Sequence, residues 1–115
     1  MNQLKWGGVQ ALGGGWYINY LSDGYFEAFY SASPSVTGTA YSLLDISGNK
    51  FDIVATIPSI IQGKLLTCVQ TAQVGNAYGM ILYQGFSNTA CTLDVMSNAT
   101  GTQTVRHRIS CFGKL

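Results

Sequence analysis

Charge is the scarcest ingredient of this sequence. Asp, Glu, Lys and Arg make up 10% of its 115 residues, against roughly 25% in a typical soluble domain. The six basic residues are Lys5, Lys50, Lys64, Arg106, Arg108 and Lys114, and only the two arginines lie close together. Without a concentrated basic face there is nothing to displace counterions from a nucleic acid, so no nucleic-acid partner is expected. No apolar run reaches the roughly 18 residues of a membrane-spanning helix, which argues against membrane insertion. The opening residues Met1 to Gly8 lack the apolar core of a signal peptide, so export by that route is not expected. Helix signals are missing too. No window keeps the i, i+3, i+4, i+7 apolar pattern for three turns, and the 14 glycines interrupt most candidates.

Catalytic constellations are equally thin. The carboxylates are Asp23, Glu27, Asp45, Asp52 and Asp94, and glycosidase chemistry needs two of them facing each other across a bond. Nothing in the sequence brings Glu27 to a second acid. The single histidine, His107, leaves no partner set for a triad, and Cys–His catalysis would need it beside a cysteine with an orienting amide. The expectation is therefore a protein that is not an enzyme, with no catalytic residue and no cofactor.

Cysteine is sparse and odd in number: Cys68, Cys91 and Cys111. Their wide spacing makes a poor disulfide framework. Each sits in an apolar strand-like stretch, which reads as buried free thiols in a chain folded in a reducing cytoplasm. A zinc site built from the three cysteines and His107 is excluded on spacing. His107 and Cys111 are four apart on one strand, roughly 13 Å when extended, and no C-x-x-C pair is present. No metal ligand is expected.

What the chain does have is alternation. Short runs rich in Val, Ile, Thr, Tyr and Phe recur between Gly, Asn, Ser and Asp punctuation. They predict strands near 16–21, 25–31, 39–44, 51–57, 64–71, 78–84, 90–96 and 103–112. Eight short strands with frequent turns define an all-β fold, a β-sandwich or a jelly-roll-like antiparallel domain. Residues 1–15 form a glycine-rich lead-in, read as irregular, with Trp6 free to dock on the body. Residues 16–115 form one β-sandwich domain. Turns are expected at Asp23-Gly24, Ser47-Gly48-Asn49-Lys50 and Gly75-Asn76, and Pro58 is expected to end the strand before it. Asn98-Ala99-Thr100 matches a glycosylation sequon and reads as a loop.

The cleanest alternation is in the last strand. Val105, His107, Ile109 and Cys111 point one way, and Thr104, Arg106, Arg108 and Ser110 the other. His107 thus shares an apolar face, as a core or interface residue, and is a candidate inter-chain contact. The hairpin from Trp16 to Tyr30 carries aromatics on both faces. One face must be core, and the other is either covered by a neighbouring subunit or exposed. Trp16, Tyr17 and Tyr25 are candidates for stacking on sugar rings.

The same hairpin carries a family resemblance. Trp16, Tyr17, Tyr20, Ser22, Asp23, Gly24, Tyr25, Glu27 and Ala28 resemble the aromatic–turn–glutamate opening of tip domains in phage and prophage tail fibres and baseplates. Tyr20 stands where such domains have a second tryptophan, and Phe29 or Tyr30 where they have a third. The ending from Val105 to Leu115, closing on Gly113-Lys114 and an apolar residue, is similar to their final strand. The two ends match well and the middle only in style. The resemblance implies a β-sandwich that forms a homotrimer at the virion's fibre or baseplate tip. Such a domain folds in the host cytoplasm and attaches to a host cell-surface glycan or protein. The motif is structural in that family and assigns no receptor residues. The alternative is a stand-alone carbohydrate-binding, lectin-like module.

Overall fold

The structure is a computed structural model that describes residues 9–115; Trp6 lies outside the described residues. Two antiparallel sheets face each other. The larger has seven strands, in the order β1 (Gln10–Gly13), β2 (Trp16–Tyr20), β3 (Tyr25–Ala32), β11 (Thr102–Lys114), β7 (Leu65–Val74) and β8 (Ala77–Tyr78). A further short strand, β4 (Ser35–Thr37), pairs with the early part of β11. The smaller sheet runs β5 (Thr39–Leu43), β6 (Ile46–Thr56), β10 (Ala90–Ser97) and β9 (Met80–Phe86). The domain is all-β and sandwich-like, and among the described residues the only helical pieces are two three-residue 3₁₀ turns. No helix among these residues is long and apolar enough to cross a membrane.

Period-2 patterning explains which face each strand buries. In β11, Val105, His107, Ile109, Cys111 and Gly113 are buried while the residues between them are exposed, apart from the half-buried Gln103. Trp16 and Ile18 of β2, with Phe26 and Ala28 of β3, extend that inner face. From the smaller sheet, Phe51, Ile53 and Ala55 of β6 and Cys91, Leu93 and Val95 of β10 meet it. Burying these side chains in place of water is the main force holding the sheets together.

Turn chemistry accounts for most of the connections. Asp23 and Gly24 both take positive φ, 61° and 81°, in the tight link between β2 and β3, where Asp and Gly are the residues that tolerate it. β6 ends at Thr56, two residues before Pro58, as the missing proline N–H requires. The turn expected at Ser47–Lys50 is elsewhere. β6 already starts at Ile46, and the chain reverses at Leu44–Asp45. The lead-in also gains order, since Gln10–Gly13 pairs with β2 as an edge strand.

Gly113 marks the tightest approach in the larger sheet. A Cβ there would lie 2.4 Å from the Phe26 ring and 2.5 Å from the Lys64 carbonyl oxygen. The carbonyl is backbone and cannot swing aside. Gly113→Ala is therefore expected to destabilise the fold by about 1–3 kcal/mol, the usual cost of overpacking. Urea unfolding followed by circular dichroism measures it, and a neutral variant would show that β7 and β3 can spread at this point.

Candidate functional site

The outer face of the larger sheet is the broadest candidate. Registered pairing carries a row of side chains across it: Tyr17 of β2 opposite Phe29 of β3, then Ser110 of β11 and Val69 of β7. Tyr17 is 45% exposed and Val69 61%. A shallow groove of about 340 Å³ lies along this row, bounded by Tyr17, Phe29, Ser31, Thr71 and Arg108. Phe112 and Tyr25 stack nearby at 5.4 Å between ring centroids, and the Lys114 ammonium sits 4.9 Å from the Tyr25 centroid. Beside the row on the same face, Asn19 donates from Nδ2 to the Glu27 carboxylate at 3.2 Å. Glu27 thus holds the β2–β3 pair in register and faces no second acid.

The three aromatic candidates have different fates. Tyr17 is open to a ligand. Tyr25 is half-buried, with its ring already stacked on Phe112. Trp16 is 2% exposed, and its indole N–H donates to the Thr56 carbonyl at 2.9 Å, so it is a core residue. It sits under a second cleft of about 520 Å³, walled by Leu12, Tyr30, Val54 and Pro58, but offers no ring face to a sugar. His107 likewise has no exposed surface. A side chain sealed within its own chain cannot serve as an inter-chain contact, which corrects the expectation from its apolar strand face.

Inside the sandwich, His107 belongs to a polar bridge. Gln70 of β7, 1% exposed, donates from its side-chain amide to the Gly85 and Thr92 carbonyls at 2.9 and 3.1 Å. Both amide protons are then committed, so Gln70 Oε1 accepts from His107 Nε2 at 2.9 Å. The imidazole is fixed as its Nε2–H tautomer, and the bare Nδ1 has no partner among the described residues. Burial holds the imidazole below its ordinary pKa, opposed in part by the nearby Cys91. Sequence reading missed Gln70. An amide in an apolar strand was the available signal, since buried polar groups need partners.

Next to this bridge the three cysteines converge. Cys68 of β7 and Cys111 of β11 are directly opposite in register, and Cys91 comes from β10 of the facing sheet. All three are free thiols whose sulfurs lie within 4.8 Å of one another. Cys91 and Cys111 are buried and Cys68 half-buried. The group shares its protons unevenly. S–H donation from Cys111 and then Cys68 holds the Cys91 thiol low, while the hydrogen bonds of Cys111 to the Cys68 and Cys91 sulfurs, and burial after them, push Cys111 high. The spacing that excludes His107 as a co-ligand of Cys111 still holds, but it did not reveal this three-thiol cluster.

One acid pair also forms. Asp52 and Asp94 are register partners on the outer face of the smaller sheet. Burial, then the hydrogen bond and charge of Asp52, raise the Asp94 pKa, and Lys50 lies 3.6 Å from Asp52. The Asp52 side chain is 60% exposed, so the pair stands on an open surface rather than in a cleft. Compared with family models, with curated proteins and with solved structures, the chain matches none of them.

Proposed function

We propose that the chain is a non-enzymatic receptor-binding or fibre-tip domain of a phage tail fibre or baseplate, acting as a homotrimer on a host-surface glycan or protein. The observation that carries this reading is the open Tyr17–Phe29–Ser110–Val69 row. It combines a ring for stacking, hydroxyls for neutral hydrogen bonds and Arg108 on the border of the groove, on a rigid sheet rather than on loops. The alternating strands of the Trp16–Tyr30 hairpin leave aromatics on this outer face after the core is filled. Exposed apolar side chains at Val54, Leu66 and Val69, each 60% or more exposed, suit a surface that is partly covered by other chains. The lone acid pair on an open sheet face gives no clamp for a scissile bond, which favours binding over hydrolysis.

The test joins mass to binding. Light scattering at micromolar concentration is expected to give three times the 12.3 kDa chain mass. On an array of bacterial surface polysaccharides, Tyr17→Ala is expected to weaken binding about tenfold while leaving the fold intact, as losing one stacked ring implies. A monomer would end the fibre-tip reading and leave the carbohydrate-binding module. Unchanged binding by Tyr17→Ala would remove the outer face as the site.

A further inference from the structure

We propose that Cys68, Cys91 and Cys111 form a binding site for one thiophilic d¹⁰ divalent cation of the zinc class, held by three thiolates with a fourth position open to water beside Cys68. The placement carries it. Every cysteine of the chain reaches the same point, from three strands and both sheets. Two arrive as cross-strand partners and the third from the opposite layer, so the sulfurs form a triangle across the middle of the sandwich. An ion with metal–sulfur bonds of about 2.3 Å needs sulfurs roughly 3.8–4.0 Å apart. A cluster whose sulfurs all lie within 4.8 Å closes on such an ion by side-chain adjustments of about 1 Å or less.

Ligand chemistry narrows the ion. Three soft sulfurs select zinc-class and copper(I) ions over calcium or magnesium, which take oxygen. Charge narrows it further. Three thiolates around a divalent ion leave one net negative charge in an apolar setting, whereas copper(I) leaves two, and buried charge is costly. Access comes through Cys68, the one thiol that is only half-buried. The supporting shell is rigid: Gln70, two residues from Cys68, ties β7 to the Gly85 and Thr92 carbonyls, and Thr92 adjoins Cys91. On binding, each S–H bond breaks as a sulfur–metal bond forms, and up to three protons leave to water with no change of oxidation state.

The site is independent of the receptor reading and is tested with cadmium(II), a spectroscopically visible member of the class. The fully reduced chain, titrated with cadmium chloride, is expected to bind one ion. Thiolate-to-metal charge-transfer absorbance should saturate at one equivalent, with two to three protons released. Cadmium, the softer ion, should displace zinc from a zinc-loaded chain, with the same absorbance growing as it does so. Cys68→Ala removes the half-buried ligand, where the fold is least disturbed, and is expected to weaken cadmium binding more than about 100-fold. Cys68→Ser serves as a second variant, and circular dichroism checks both folds. No saturable absorbance in the reduced wild-type chain would overturn the proposal, as would wild-type affinity in a folded Cys68 variant. So would a chain whose only cysteine chemistry is a disulfide formed in air.

Discussion

Trp16→Ala is expected to cost about 3–5 kcal/mol, the range for removing a buried tryptophan. The indole is 2% exposed, packs against the Tyr30 ring at 5.1 Å, and donates from Nε1 to Thr56 at 2.9 Å. Because Thr56 ends β6 in the smaller sheet, that bond links the two layers as well as filling space. A domain of this kind has only about 5–15 kcal/mol of net stability, so the loss takes a large share of it. Trp16→Phe separates the two contributions. It keeps most of the buried area and deletes the donor, leaving the Thr56 carbonyl short of a partner, for about 1–3 kcal/mol. Chemical unfolding followed at far-ultraviolet wavelengths is the measurement, since Trp16 itself is a main fluorophore. A cost below about 1 kcal/mol for the alanine variant would mean that Trp16 does not hold the layers together.

The strands were legible because burial on one face imposes alternation, and β11 states it over nearly its whole length. The Asp23-Gly24 turn and the stop before Pro58 were legible because their backbone demands point to few residue types. Ser47-Gly48 misled for a physical reason. Gly48 is a glycine because a Cβ would sit 2.8 Å from the Ser97 carbonyl oxygen, a close approach within the sheet and not a turn. The reversal falls instead at Leu44, at φ 54° and 94% exposed, where side-chain preference alone would never place it. In β7 the apolar residues point the wrong way for a simple reading: Leu66 and Val69 face out, while Cys68 and Gln70 face in. Only the register of β7 on β11, and of one sheet over the other, brings the thiols together and gives His107 its amide. That register joins segments tens of residues apart, and no local pattern encodes it.

Stability is expected to fall as the pH drops below about 6.5, and His107 is the reason. Its folded-state pKa lies below the ordinary value of 6.5, held down by burial. Between those two values the unfolded chain binds a proton that the folded chain refuses. The stability present above pH 6.5 is therefore lost on acidification, by up to about 1.4 kcal/mol per pH unit, until the folded imidazole protonates. Protonation would place a second N–H on Nδ1, which has no acceptor among the described residues. Gln70→Met should be more damaging at every pH. It strands the His107 Nε2–H together with the Gly85 and Thr92 carbonyls, and each buried unpartnered group costs about 1–3 kcal/mol. A total of about 3 kcal/mol or more is expected for that variant. His107→Gln replaces the imidazole with a group that does not titrate, and its stability should lose the slope between pH 6.5 and 5.5. Urea midpoints at pH 7.5, 6.5 and 5.5 for the wild type and both variants decide the matter. A wild-type stability that is flat or rising across that interval would mean that the buried imidazole accepts its proton as readily as one in water, and the tautomer assigned through Gln70 would fall with it.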